Sequence, residues 1–191
     1  MTDERLDEAL LLRSIAALPR GSGVVFRHYG YEPARRHALF RQVRSIARMR
    51  HLLLLLAGTP RLARLWGADG VHLAGHAARR IPLHRLGIGA PGRMLRSAAA
   101  HRPEEVRAAG RCRAEALFLS PVFPTRSHPG GRILGASGFA RLAALSVAPV
   151  IALGGLTPAR YRRVRPLGAY GWAAIDALTR KPREERLEQG Q

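Results

Sequence analysis

An α/β chain of the (β/α)8 (TIM) barrel class is what this sequence predicts, and three observations carry the prediction. Short apolar runs of strand length recur along the chain, bounded by Gly, Pro or charged residues. Segments with helical spacing separate them, several opened by a proline where a first-turn residue has no hydrogen bond to lose. The runs are apolar at successive positions instead of every second one, so each strand is to be covered on both faces, as in a parallel sheet. A doubly wound sheet fits this alternation as well. The element count favours the barrel.

The elements follow in order. A helical segment at 3–18 precedes the first strand, 23–26. In strict alternation a helix before a strand implies a strand before it, so a first strand reduced to a stub near 1–3, or lost to the start-site assignment, is expected. Helices at 33–49, 60–66, 103–112, 137–145 and 158–164 and strands at 51–57, 70–73, 93–99, 116–120, 149–153 and 171–175 complete the pattern. Pro33, Pro103 and Pro158 sit at first-turn positions, and Thr59 and Thr157 precede prolines as caps. One domain over 1–180 is expected, followed by a charged, disordered tail at 181–191.

Composition excludes several classes. With 47% apolar residues the chain can build a core. Its longest apolar run, 52–58, is far short of the roughly 20 residues that cross a bilayer, so no membrane span is expected. Residues 1–8 hold four carboxylates and do not read as a secretory leader, which makes the expected location cytoplasmic. The single Cys112 excludes an internal disulfide framework. The formal charge is +19, and of 32 basic residues only Lys181 is lysine, a skew that GC-rich coding would produce. The arginines are spread along the chain and aromatics amount to 6%, so most are read as solvated helix faces. Specific nucleic-acid binding is not expected, although such charge attracts polyanions nonspecifically at low salt.

Five features of the sequence are weighed for function. Gly87-Ile88-Gly89-Ala90-Pro91-Gly92 matches the dinucleotide fingerprint literally but precedes a strand and contains a proline, so it is read as an ordinary loop. The segment 119–131 follows a strand and is too long for a simple connection; its hydroxyls, Arg126, His128 and glycines suit a ligand loop. Gly154-Gly155 ends the next strand before a helix start, where backbone N–H groups can meet an anion, although a tight turn would also want glycines. Asp176, at the end of the last strand, either caps a helix or tells against a bound phosphate. His72 lies inside a strand and the histidines have no metal-ligand spacing, so core or supporting roles are expected.

Taken in order, these segments resemble the thiamine phosphate synthase family, with its related thiazole tautomerases. The resemblance rests on Gly67-Ala68-Asp69-Gly70-Val71-His72-Leu73, on Ser120-Pro121-Val122-Phe123-Pro124-Thr125 and on Val150-Ile151-Ala152-Leu153-Gly154-Gly155-Leu156, and it covers nearly the whole chain. It implies a compact barrel that couples an aminopyrimidine diphosphate to a thiazole phosphate, releasing pyrophosphate, with Mg2+ and basic residues on the diphosphate. Of the family's Gln-x-Arg-x-Lys only Arg27 is kept. The two magnesium carboxylates fall on Gly58 and Ala77, the Ser of Ser-Thr-His on Ala99 with His101 kept, and the loop Lys on His128. The tautomerase histidine falls on Pro121. The thiazole-phosphate half, Thr125, Ser127, Gly154 and Gly155, is retained, with Asp176 where the family has Ser. The expected substrate-binding set is therefore Arg27, His101, Thr125, Arg126, Ser127, His128, Gly154 and Gly155, with no metal ligands and weak or absent magnesium-dependent coupling. Two alternatives stand beside it: a noncatalytic barrel that binds a small phosphate, and a polyanion binder driven by net charge.

Overall fold

The computed structural model describes residues 1–75, 94–125 and 130–175. The 87–92 motif, Ala77, Arg126, Ser127, His128, Asp176 and the tail 181–191 lie outside the described residues. The chain divides into two compact units, Met1–Leu54 with Ile175–Gln191, and Leu55–Ala174.

In the first unit, α1 (Glu8–Ala16), β1 (Gly23–Phe26) and α2 (Pro33–Arg50) follow one another. The α1 helix starts later than 3–18 because Asp7 is its N-cap, its Oδ1 accepting from the Leu10 N–H at 2.9 Å. Upstream, Asp3 is engaged by Arg5, whose Nε donates to Oδ1 at 2.7 Å. The stub expected at 1–3 is a single-residue contact. The Thr2 N–H donates to the Val25 carbonyl at 2.9 Å, and the Arg27 N–H donates back to Thr2 Oγ1 at 2.9 Å, a hydroxyl standing where a parallel ladder would use a carbonyl. Glu32 caps α2 by accepting from the N–H groups of Ala34 and Arg35. His51, in the left-handed region at φ 54°, ends that helix. Its buried face is Leu39, Phe40, Val43 and Ala47, with Phe40 edge-on to Phe26 at 5.4 Å.

The second unit takes up the chain within β2 (Leu53–Ala57) and continues through α3 (Pro60–Trp66), β3 (Gly70–Leu73), β4 (Leu95–Ala100), α4 (Pro103–Arg111) and β5 (Ala116–Leu119). It ends with α5 (Gly135–Ala143), β6 (Val150–Leu153), α6 (Pro158–Val164), a 3-10 turn (Arg165–Leu167) and β7 (Ala169–Ala173). The strands lie in one sheet in chain order from β1 to β7, and each successive pair from β2 to β7 is parallel. Among the described residues there are thus seven strands of an α/β parallel sheet, while closure by an eighth is not shown.

Two boundaries shift for identifiable reasons. The last strand begins at Ala169 because the register slips after Val150, which pairs with Ala169 while Ile151 pairs with Gly171; Tyr170 is extruded and 77% exposed. The α5 helix begins at Gly135, where the Leu134 and Gly135 N–H groups donate to the carbonyls of Pro121 and Val122.

The two faces of the second unit's sheet differ. Leu56, Val71, Leu73, Ala98, Leu117, Leu119 and Ala152 share one face and are fully buried, each large one contributing roughly 2 kcal/mol or more of burial. The other carries half-buried Leu55, Leu95, Ile151 and Leu153 beside His72 and Phe118, with Gly70, Ser97, Ala99, Ala116 and Gly171 as the small groups between them. A side chain at Gly70 would have its Cβ 2.8 Å from the Leu95 Cβ. His72 is buried, as expected for a strand histidine, with Nδ1 2.9 Å from Ser97 Oγ and its ring edge-on to Phe118. No helix of the described residues is long and apolar enough to cross a membrane.

Candidate functional site

The second unit brings the ends of β4, β5 and β6 together through specific bonds. Residues 122–123 continue in the same direction alongside the end of β6: the Val122 N–H donates to the Leu153 carbonyl at 2.9 Å and the Phe123 N–H to the Gly154 carbonyl at 3.1 Å. Gly154 and Gly155 are both left-handed, at φ 96° and 61°. A Cβ at Gly154 would lie 2.7 Å from Pro121 Cα, and one at Gly155 would strike the Pro124 carbonyl and stand 3.0 Å from Phe123 Cβ. Both glycines are therefore required by the approach of the 120–124 loop as well as by the turn. Arg160 closes the arrangement from α6, donating to the Gly155 carbonyl at 2.7 Å with its guanidinium 5.3 Å from the Phe123 ring centre. Thr157 caps α6, its Oγ1 accepting from the Arg160 N–H at 3.2 Å.

His101 stands at the end of β4 beside this loop. Its Nδ1 lies 2.6 Å from the Ser120 carbonyl oxygen, which can only accept. Nδ1 therefore carries a proton, and in the neutral imidazole Nε2 keeps its lone pair. The His101 main-chain N–H donates to Glu105 Oε2 at 2.7 Å, and Arg102 faces Oε1 at 3.8 Å. Glu105 is buried with its Oε1 and Oε2 so engaged. Thr125 is half-buried at the end of the described part of the loop.

Arg27 belongs to the first unit, immediately after β1. Its backbone is held from both sides: N–H to Thr2 Oγ1, and carbonyl accepting from Arg36 Nε at 2.9 Å. The next residue, His28, is fully buried in the left-handed region at φ 43°. Its Nδ1 is 3.0 Å from Thr2 Oγ1, and its ring stacks on Phe26 at 4.8 Å and meets Tyr31 edge-on at 4.9 Å. Burial, the largest influence, holds this imidazole below the ordinary histidine range, with Arg36 adding to the effect against the opposing pull of Glu4, Glu8 and Asp3. Sequence reasoning gives His28 no role, since it falls on the variable position after Arg27 in the family pattern. Its partners lie 26 residues away at Thr2, and no local pattern announces them.

Among the described residues the donor set does not fit a magnesium ion. Mg2+ demands hard oxygen ligands in near-octahedral array. At Gly58, the position to which the resemblance assigns the first family carboxylate, there is no side-chain oxygen, and the neighbouring Thr59 hydroxyl is occupied in capping α3, accepting from the Leu62 N–H at 3.2 Å. Between Asp69 and Glu104 the chain has no carboxylate at all. Among the described residues no three His, Cys, Asp or Glu cluster to hold a metal.

The family model described as thiamine monophosphate synthase matches residues 1–178. The chain belongs to the thiamine monophosphate synthase family. Among curated members of that family, the thiamine-phosphate synthase of Thiobacillus denitrificans is 29% identical over 184 residues, 95% of this chain and 86% of the relative. That of Thermus thermophilus is 31% identical over 182 residues, 94% and 85% of the two chains. In fold, the thiamine phosphate pyrophosphorylase from Pyrococcus furiosus superimposes with a TM-score of 0.75 at 22% identity, covering 94% of this chain and 86% of that one. Membership of the thiamine monophosphate synthase family supports a role in thiamine biosynthesis.

Proposed function

We propose that this chain is a thiamine phosphate synthase-like protein that binds a thiazole phosphate at the end of β5 and β6 and handles an aminopyrimidine diphosphate with basic groups. The observation that carries the reading is the pinning of the 120–124 loop onto Gly154-Gly155, which sets Thr125 beside a glycine turn leading into α6. Ser127 extends the phosphate-binding set, and Arg27, His101, Arg126 and His128 serve the diphosphate. The barrel closes with eight strands as a single domain over 1–180. A diphosphate leaving group needs its developing charge neutralised, and without metal carboxylates that work falls to arginine and histidine alone. Transition-state stabilisation is then short by several kcal/mol. The lack of carboxylates between Asp69 and Glu104 favours a second reading, in which the barrel binds the phosphate without coupling.

One pair of measurements separates the two. Titration calorimetry with thiazole phosphate should show binding that Thr125→Ala weakens by about 3- to 10-fold, the loss of one hydrogen bond to an anion. A coupled pyrophosphate-release assay with both substrates should give little or no magnesium-dependent turnover. Robust turnover restores the synthase reading in full and overturns the assignment of Gly58 and Ala77; no thiazole-phosphate binding at millimolar ligand overturns both readings.

A further inference from the structure

His101 is held by the fold at its main chain and at its ring. The main-chain N–H donates to Oε2 of buried Glu105, in the first turn of α4, at 2.7 Å. Ring Nδ1 lies 2.6 Å from the Ser120 carbonyl oxygen, and the sheet places that carbonyl, since the Ser120 N–H donates to the Ala100 carbonyl at 3.2 Å. Turning the ring over would set a carbon at this distance, well inside the optimal separation of two heavy atoms. The Nδ1 proton is therefore committed to Ser120 whether the ring is neutral or charged. That fixes the part left to Nε2, which can only accept from a neutral ring and can only donate from a charged one. His101 is exposed, and its Nε2 has no partner among the described residues.

A fully ionised diphosphate ester presents acceptors alone. Against the neutral ring it would set lone pair against lone pair, so a hydrogen bond forms only when a proton is added. We propose that His101 takes the diphosphate as the imidazolium, so that binding draws one proton from solution onto Nε2. The inference rests on the reading that His101 serves the diphosphate of an aminopyrimidine diphosphate. No covalent bond between heavy atoms changes: a neutral ring, one solvent proton and the diphosphate become an Nε2–H donor on a phosphate oxygen. The surroundings leave the ligand to supply the pull. From α4, Glu105 stands beside His101 with Arg102 at 3.8 Å from its Oε1, opposite charges that offset each other. From the end of β5 comes Ser120, uncharged, its Oγ 3.4 Å from Nδ1. From the segment after β3 comes Gly75, where an added Cβ would lie 2.8 Å from the Glu105 carboxyl carbon.

The test uses the full chain and the aminopyrimidine diphosphate at about pH 8, without thiazole phosphate and without metal. The ester is fully ionised there, so a proton taken up lands on the protein. Long-range 1H–15N NMR of the histidine rings, with His101 assigned by its loss in His101→Asn, should show a bare Nε2 in the free protein and both nitrogens protonated in the complex. Calorimetry in two buffers of different ionisation heat should show uptake of about one proton per diphosphate bound, and affinity should fall about 10-fold from about pH 7.5 to about pH 8.5. Asn keeps an amide N–H for the Ser120 carbonyl and cannot titrate. His101→Asn should abolish the uptake, flatten the pH dependence and weaken binding about 3- to 10-fold. Should the variant fail to fold, assignment of His101 through the backbone lets the wild-type spectra decide. An Nε2–H tautomer in the free protein, a bare Nε2 in the complex, or uptake that persists in His101→Asn overturns the proposal and leaves the diphosphate reading standing. Absence of binding at millimolar diphosphate overturns both.

Discussion

His28 joins a buried, aromatic-packed ring to the backbone that carries Arg27. Its consequence is a pH dependence with a definite sign. The imidazole titrates lower in the folded chain than in the unfolded one, so the unfolded state takes up the proton first as pH falls. Stability from this group is complete above about pH 6.5 and is lost as pH drops below it. The midpoint of urea unfolding should therefore be lower at pH 5 than at pH 7, and His28→Asn should remove part of that difference. Asn tolerates the left-handed backbone and keeps a hydrogen-bonding group for Thr2 while being unable to titrate. An identical pH response in the variant would show that His28 is not the group concerned.

Among the elements, α6 shows what the sequence makes legible and what it hides. Thr157 before Pro158 announces a cap, and the hydroxyl does accept the Arg160 N–H. Thr157→Ala is expected to cost about 1 kcal/mol, read from denaturant midpoints, without moving the fold. Thr59 before Pro60 is the same signal with the same outcome in α3. The first helix is expected from Asp3, but two nearby carboxylates compete for its start: Asp3 is held by Arg5, and Asp7 takes the cap by accepting the Leu10 N–H. Legibility fails further where a partner is distant in sequence. At Gly154-Gly155 the residues left a tight turn and an anion site open. The structure adds a third demand, room for Pro121 and Pro124, that only tertiary packing can state. His101 was singled out by resemblance, while its hold on the Ser120 carbonyl and the clamp by Arg160 had no sequence signal at all.

For the whole molecule, the formal charge of +19 is a stability term as well as a binding one. Like charges spread over a compact chain repel, and salt screens them. Raising sodium chloride from about 20 to about 300 mM shortens the screening length from roughly 20 Å to roughly 6 Å. The melting temperature should rise by about 2–4 °C, corresponding to about 1 kcal/mol for a chain of this size. An unchanged or lower melting temperature would show that the arginines are already balanced locally. The seven parallel strands and their helices were legible from periodicity alone, because strand burial and helix spacing are local properties. The placement of charge was not, since counting arginines cannot tell that the carboxylates of residues 1–54 are taken up by two helix starts, one loop amide and the guanidinium groups of Arg5 and Arg35.

The clasp between residues 120–124 and Gly154-Gly155 also bears on how this molecule can change over generations. Loops after strands ordinarily vary independently, which is how one scaffold acquires new ligands. Here a side chain at Gly154 or Gly155 would collide with the 120–124 segment, so the two glycines are fixed for as long as that segment keeps its course. A change of ligand preference that spares the clasp has to begin outside it.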